Sequence, residues 1–355
     1  MKRFALCCLP FLFLMLHLSC QQSQTHQNNR EVQTPPAGDL SPEAAALRQM
    51  TSALEKDAEN DSLLNERALA YLKQGKMNEA LRDINEALRL KPDEAEYLIT
   101  LSDIYFGLNQ SPKTRQTLLK VLELYPENTN AMLKLAEMNL YFRDYEGVES
   151  YARRAIATDP TYAQAYFILG FAKKETGDTS AAIRLFQQTI DRDPVHYEAF
   201  MQAGILLAAR KDKLAEAYYK GAIALDAERL EAYYNLGLYY QENEFYNEAM
   251  KMYNDLIALR PDFKLAYYNL GYIHLVNLEV YNEAVKFFTQ ALQADPNYVE
   301  AVYNRGYAYE LMGDVLNARQ DYQRALQLRP NYGLAISGLN RLDQMDRDAK
   351  DAGLE

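Results

Sequence analysis

The sequence has no tryptophan, and all three of its cysteines, Cys7, Cys8 and Cys20, fall within the first twenty residues. Beyond them there is no thiol to pair or to attack, which excludes a disulfide framework and a cysteine nucleophile. Histidine is nearly as scarce: after His17 only His26, His196 and His274 follow, too far apart in the chain to suggest a metal triad. Fifteen glycines and twelve prolines in 355 residues are too few for a loop-rich or collagen-like chain. There is no glycine-rich phosphate loop and no lysine or arginine run. With 49 acidic against 38 basic side chains, a formal charge of −11 repels phosphate backbones, so nucleic acid is excluded as a partner. Glu242 and Glu244, the nearest thing to a carboxylate pair, sit at a helix end where no pocket is implied. No catalytic residue, cofactor, metal or small-molecule substrate is expected.

What the chain does contain is 48% hydrophobic and 25% charged residues, the balance of a folded and mostly helical body. Its aromatic surface is carried by 28 tyrosines, each an apolar ring with a polar tip suited to wet grooves. The N-terminus reads as a targeting segment, because Lys2 and Arg3 precede an apolar stretch over residues 4–18 that ends at Ser19-Cys20. Interrupted by Pro10, this stretch is short for a bilayer span.

The run Leu16-His17-Leu18-Ser19-Cys20 resembles the bacterial lipoprotein box, which implies cleavage after residue 19 and acylation of Cys20 as the new N-terminus. His17 departs from the pattern, since the family's leucine stands three residues before the cysteine and here it stands four before. A plain secretory peptide or an uncleaved anchor is the alternative, although neither requires a border cysteine followed by polar residues. Residues 20–40 have no aromatic side chain and little apolar surface, so they read as a flexible tether. Twenty such residues span about 25 Å on average and reach about 70 Å at most, enough to hold a body clear of the headgroups. The resemblance, with Gln21 in place of an inner-membrane aspartate, implies an outer-membrane lipoprotein facing the periplasm.

Prolines recur at 92, 126, 160, 194, 261, 296 and 330, an interval of 34 residues except that 194 to 261 spans two units and 261 to 296 is one residue longer. Ala227 stands where the missing proline would be. Counting each proline as position 32 puts a small residue at position 8 of all eight units: Ala68, Ser102, Ala136, Gly170, Gly204, Gly237, Gly271 and Gly306. Position 20 is alanine in six units, and position 24 is held by fillers such as Ile84, Phe186, Tyr253 and Phe288. Small residues on facing stripes allow helix axes to approach to about 8–10 Å. A 34-residue period with these features resembles the tetratricopeptide repeat family, which implies an all-α, right-handed superhelical solenoid of helix-turn-helix hairpins. The repeats are expected over 61–94, 95–128, 129–162, 163–196, 197–229, 230–263, 264–298 and 299–332.

Gly75, Gly177 and Gly313 fall where a first helix would end in a left-handed turn. Repeat two is the least typical, with Ser102, Thr114 and Val121 at the small positions. Residues 41–58, opened by Ser41-Pro42-Glu43, are expected to cap the first repeat through Leu47, Met50 and Leu54. Residues 333–347 are expected to cap the last through Leu334, Ile336, Leu339 and Leu342, leaving 348–355 as a disordered tail.

In this family first helices line the concave side, and positions 2, 5, 6, 9, 12 and 13 point into the groove. The resemblance therefore implies a partner surface of Asn235, Asn269 and Asn304 at position 6, Tyr234, Tyr268 and Tyr303 at position 5, and Tyr272 and Tyr307 at position 9. Repeats four and five offer Phe167, Phe171, Met201 and Ile205 at groove positions, where no core is evident for them to fill. Asparagines recurring once per repeat, about 10 Å apart, match about three residues of extended chain and could satisfy its backbone. Tyr-Asn-Leu-Gly is also the family's common first-helix sequence, present without any peptide. The basic clamp that binds carboxylate tails in cytosolic relatives is matched by Lys134 alone. The expected function is a membrane-anchored, non-enzymatic scaffold that binds protein or extended peptide partners in its groove. The alternative is a permanent structural subunit of an envelope complex.

Overall fold

The computed structural model describes residues 41–351, so Cys20, the targeting segment and the tether lie outside the described residues. Among the described residues there are eighteen α-helices and no strand. A lone helix α1 (Pro42–Lys56) precedes four hairpins: α2 (Asp61–Lys73) with α3 (Met77–Leu90), α4 (Ala95–Gly107) with α5 (Ser111–Leu124), α6 (Thr129–Tyr141) with α7 (Tyr145–Thr158), and α8 (Ala163–Glu175) with α9 (Thr179–Arg192). Four more follow: α10 (Tyr197–Ala209) with α11 (Leu214–Leu225), α12 (Leu230–Glu242) with α13 (Tyr246–Leu259), α14 (Lys264–Tyr272) with α15 (Tyr281–Ala294), and α16 (Val299–Leu311) with α17 (Val315–Leu328). A final helix, α18 (Gly333–Asp351), closes the stack. None of these helices is long and apolar enough to cross a membrane.

The chain is a solenoid, since each helix packs on its neighbours in sequence and on little else. First helices of successive hairpins also touch one another, as α2 does α4, α6 does α8 and α10 does α12, so they crowd the inner face. Helix starts are fixed by side chains that accept from free backbone amides: Asn60 from Leu63, Asn128 from Ala131, Asp144 from Gly147 and Asp178 from Ala181, at 2.8–3.1 Å.

Every hairpin turn is built the same way. One residue adopts positive φ, namely Gly75, Asn109, Arg143, Gly177, Lys211, Glu244, Glu279 or Gly313. The amide after it bonds back five residues, as Asp144 does to Asn139 and Asp178 to Lys173, both at 2.8 Å. Three glycines were visible in the sequence; the other five turns force a side chain into the left-handed region. In repeat seven the bond runs six residues, from Val280 to His274, and the chain between passes through a π-helical turn, Ile273–Asn277. That turn absorbs the one residue by which this repeat exceeds the period.

Within each hairpin the decisive contact lies between positions 8 and 24. A Cβ on Gly170, Gly204, Gly237 or Gly271 would stand 2.8, 2.9, 2.7 or 2.8 Å from a ring carbon of Phe186, Tyr219, Tyr253 or Phe288 respectively. On Gly306 it would meet Asp321 at 2.9 Å and the ring of Tyr322 at 3.2 Å. All five rings are fully buried. Where position 24 is Ile84, Leu118 or Ala152, position 8 is Ala68, Ser102 or Ala136, so the missing Cβ is matched to the ring. Two of the three buried phenols are satisfied from position 12 of the first helix: Tyr253 donates to Gln241 at 2.9 Å and Tyr322 to Glu310 at 2.5 Å.

The terminal repeats carry matching ion-pair clamps. Arg67 grips both oxygens of Asp83 at 2.6 and 2.8 Å, and Arg305 grips Asp321 at 2.8 Å twice. Both pairs are nearly enclosed, and hydrogen bonding to the aspartate holds each arginine's pKa above its ordinary value.

Three expectations about the ends are corrected. Leu47 and Leu54 are buried against the first repeat, but Met50, at the edge of the same stripe of α1, stays half-buried. On α18, Ala335, Gly338 and Leu342 are buried against the last hairpin and Leu339 packs half-buried beside them, while Leu334 and Ile336 are exposed. Helix also continues through 348–351, where a disordered tail was expected, with Gln344 bonded to Asp348 one turn on.

Repeat two is opened by a cleft of about 1050 Å³ between α3, α4 and α5, which runs over Leu88, Leu98, Leu101 and Leu119. Amides of α4 and α5 are expected to exchange faster than those of α12 to α17 in native-state hydrogen exchange, and equal protection would refute this weak point. Gly237→Ala is expected to cost about 1–3 kcal/mol in denaturant unfolding, and combining it with Tyr253→Leu to recover part of that loss, as a double-mutant cycle would measure. Arg143→Gly, Lys211→Gly and Glu244→Gly are each expected to stabilise by up to about 1 kcal/mol, by relieving the left-handed side chain. Burial raises Tyr197 and Tyr332 to about 12 and pushes Tyr219, Tyr253 and Tyr322 higher still. An unfolded tyrosine ionises near about 10. Above that pH the unfolded chain binds fewer protons than the folded one, so stability is expected to fall as pH rises from 10 towards 12, in a series of unfolding curves.

Candidate partner-binding groove

The inner face is built by the first helices, and the position 5 residues form its most regular feature. Each of four packs its ring between the position 24 ring of its own hairpin and the residue just before the next hairpin's first helix. Tyr234 lies 6.5 Å from Tyr253 and 5.9 Å from Phe263; Tyr268 lies 5.7 Å from Phe288 and 5.0 Å from Tyr298. Tyr303 lies 5.6 Å from both Tyr322 and Tyr332. In repeat four Phe167 stands 5.7 Å from Phe186 and 4.4 Å from His196. The groove surface and the hydrophobic core therefore share their aromatic side chains.

The three tyrosines of this row remain half-buried, with the ring turned inward and part of the surface open. Burial raises the pKa of Tyr268 and Tyr303, so their hydroxyls stay protonated at physiological pH and can donate as well as accept. Tyr272 and Tyr307 at position 9 flank them, Tyr272 at 6.4 Å from Tyr268 and Tyr307 stacked at 6.3 Å on Tyr303. The Arg341 guanidinium lies 5.6 Å over the Tyr307 ring, held there by Glu310 at 2.6 and 2.8 Å. Cationic groups cover the rims of other rings in the same manner, as Arg229 does Tyr197 at 3.7 Å and Lys264 does Tyr298 at 4.9 Å.

The asparagine column is not the uniform ladder that the sequence suggested. Asn235 spends its amide nitrogen on the Glu231 carbonyl of its own helix at 2.7 Å. Asn304 donates to the Tyr268 hydroxyl at 2.9 Å, tying repeat eight to repeat seven. Asn269 is buried at 7% exposure, with its amide beside the Tyr253 hydroxyl. The three positions are equivalent in sequence and different in chemistry. Asn235 and Asn304 are engaged within the structure, so their amide groups are not all open to the groove.

The apolar stretch of repeats four and five is also corrected. Phe167, Phe171 and Met201 are 8%, 5% and 6% exposed, and Phe171 lies 4.9 Å from Phe167 and 5.6 Å from Phe186. They do have a core to fill: Phe167 and Phe171 pack around the Phe186 ring, and Met201 packs in the next cluster with Tyr197 and Tyr219. Only Ile205 of this group stays half-buried.

In repeats one to three, where the sequence pattern marked Lys134 alone, the inner face opens a cleft of about 510 Å³. Glu96, Ile99, Thr100, Asp103, Asn130 and Lys134 line it. They occupy positions 2, 5, 6 and 9, the same set that was followed in the later repeats. Lys134 is paired with Asp103 at 2.7 Å, and burial raises the pKa of Glu137 beside it. Glu66 and Glu96 stand exposed on the same helix faces, so this end of the groove is acidic and the far end is tyrosine-rich.

The tetratricopeptide repeat family matches residues 62–94, 169–229, 230–263, 265–298 and 299–332, more than half of the chain. The C-terminal part of a TPR repeat-containing protein from Cytophaga hutchinsonii superposes with a TM-score of 0.61 at 18% identity, over 68% of this chain and 99% of that one. Among curated proteins, the chain is 24% identical over 194 residues to Protein O-mannosyl-transferase TMTC3 of Homo sapiens, covering 53% of this chain and 21% of that protein. It is 25% identical over 235 residues to BBSome complex member BBS4 of Bos taurus, covering 66% of this chain and 44% of that protein. The matches thus span less than half the length of these curated relatives. On the repeat match and the hairpin architecture together, the chain belongs to the tetratricopeptide repeat family.

Proposed function

We propose that this chain is a non-catalytic scaffold, held at a bacterial envelope membrane by a lipid on Cys20, that takes a protein or an extended peptide along its first helices. The observation that carries the binding role is the row of half-buried tyrosines along the first helices, Tyr234, Tyr268 and Tyr303 at position 5 with Tyr272 and Tyr307 at position 9 of the last two repeats. Tyrosine supplies large contact area and a hydrogen bond at little cost in side-chain entropy, which suits a peptide surface. The acidic cleft of repeats one to three extends that surface and favours a partner segment with basic residues at one end and apolar residues at the other. The anchor rests on the sequence around Cys20 and on the polar stretch after it. With polar residues following the cysteine, outer-membrane attachment facing the periplasm is the reading it supports best. The transferase likeness covers a fifth of that protein and brings no catalytic role to this chain.

A permanent subunit of an envelope complex is the second reading, favoured by the likeness to a protein named as a member of a complex. The two differ in exchange. A scaffold is stable without its partners and binds and releases them, whereas a subunit is unstable without its complex.

Partners recovered with the chain from membranes provide the test. Tyr272→Ala with Tyr307→Ala, at positions that flank the core without filling it, is expected to weaken capture by roughly ten-fold or more. Lys251→Ala on the outer helix α13 is expected to leave capture unchanged. The reverse pattern would place the working surface outside the groove. Cys20→Ala is expected to release the chain from membranes and abolish lipid labelling, since each buried acyl methylene contributes about 0.8 kcal/mol. Unchanged detergent partitioning of that variant would refute the anchor.

A further inference from the structure

The helices at the two ends of the described residues are each half of a hairpin. α1 docks on repeat one as a second helix does. Arg67 reaches the Thr51 hydroxyl at 3.3 Å, and Arg305 reaches the Thr289 hydroxyl of α15 at 3.2 Å, both across sixteen residues. In that register Ala46, Met50 and Ala53 of α1 take positions 20, 24 and 27, the places held one period later by Ala80, Ile84 and Ala87. Those three are wholly buried against their first helix. On α1 both alanines are exposed and Met50 is half-buried, because no first helix lies beside them among the described residues.

α18 is the complementary half. It buries Ala335 and Leu342 at positions 3 and 10, as first helices do against the preceding hairpin. At position 4, where Leu64, Leu98, Met132 and Val302 are 0–5% exposed against their own second helices, Ile336 of α18 is 41% exposed. Leu334 and Met345 are exposed beside it at 44% and 46%. The sequence one period before α2, residues 27–40, carries Asn29 and Arg30 at positions 3 and 4 and Pro35-Pro36 at positions 9 and 10, so it lacks the first-helix pattern that α1 would need.

We propose that α18 of one copy packs on α1 of the next, completing a ninth hairpin in trans and joining copies head to tail. Ile336 and Leu339 then meet the stripe of Ala46, Met50 and Ala53, whose alanines permit close helix approach. Asn340, exposed at position 8, would face Met50 at position 24, and it is larger than the alanine or serine that meets Ile84 and Leu118 in repeats one and two. The occupant of each open face is a second copy of this chain, because among the described residues α1 has no first helix beside it and α18 has no second. The contact joins two different surfaces, so it does not close on itself at two copies. Grooves of successive copies would run on as one surface and multiply weak partner contacts.

Sedimentation velocity on the full chain in mild detergent tests this with two variants, Met50→Glu on α1 and Ile336→Glu on α18. Neither side chain is fully buried, so both variants are expected to keep the helical content and melting profile of the parent. The parent is expected to grow beyond dimer as concentration rises. Each variant alone is expected to associate about a hundredfold more weakly, because a carboxylate would be buried without a partner. Mixed in equal amounts, the two are expected to form a one-to-one heterodimer that grows no further, since each variant keeps the end that the other has lost. A parent that stays monomeric at the highest concentration reached would overturn the proposal. So would variants that associate like the parent, or a dimer abolished by only one of the two changes, which marks a symmetric contact.

Discussion

A ring on each second helix of repeats four to eight occupies the space left by the absent side chain of a glycine on the first helix. Everything else in those repeats is placed relative to this contact. It sets how closely the two helices of a hairpin lie, and it buries rings that add large apolar area per repeat. It also provides the floor on which the groove tyrosines rest, since Tyr234, Tyr268 and Tyr303 pack on Tyr253, Phe288 and Tyr322. A change in the core of one repeat is therefore transmitted to the binding face of the same repeat across a single layer of side chains. Repeats one to three use aliphatic side chains against alanine or serine instead, and there the inner face is a charged cleft without a tyrosine row.

Much of this architecture was legible in the sequence because it repeats. The 34-residue period, the small residues at position 8 and the large ones at position 24 locate the hairpins without reference to any single residue's preference. Less legible were features whose cause lies outside the local pattern. Asn109, Arg143, Lys211, Glu244 and Glu279 adopt positive φ because the closure of the preceding helix demands it, and nothing in those residue types announces it. The extra residue in repeat seven was visible as an interval of 35, but its resolution into a π-helical turn was not.

The groove was read less accurately than the fold, for a physical reason. Position in a repeat fixes the direction of a side chain but not its hydrogen-bond partner or its depth. Asn304 is engaged by a tyrosine 36 residues away, and Asn269 is covered by its neighbours, so a row that looks uniform in sequence is uneven in chemistry. Phe167 and Phe171 face the groove by position and the core by contact, because they pack around the Phe186 ring. The acidic cleft could have been found by applying the same positions to repeats one to three, where Glu96, Asp103 and Lys134 mark it.

Hydroxyl-radical footprinting of the chain with and without its native partner is the most direct test of the central claim, that the first-helix face is the working surface. Strong protection of Tyr272 and Tyr307 on partner binding is expected, with Met250 and Met252 of the outer helix α13 unchanged. Protection confined to the outer helices, with the two tyrosines oxidised as fast as in the free chain, would contradict it.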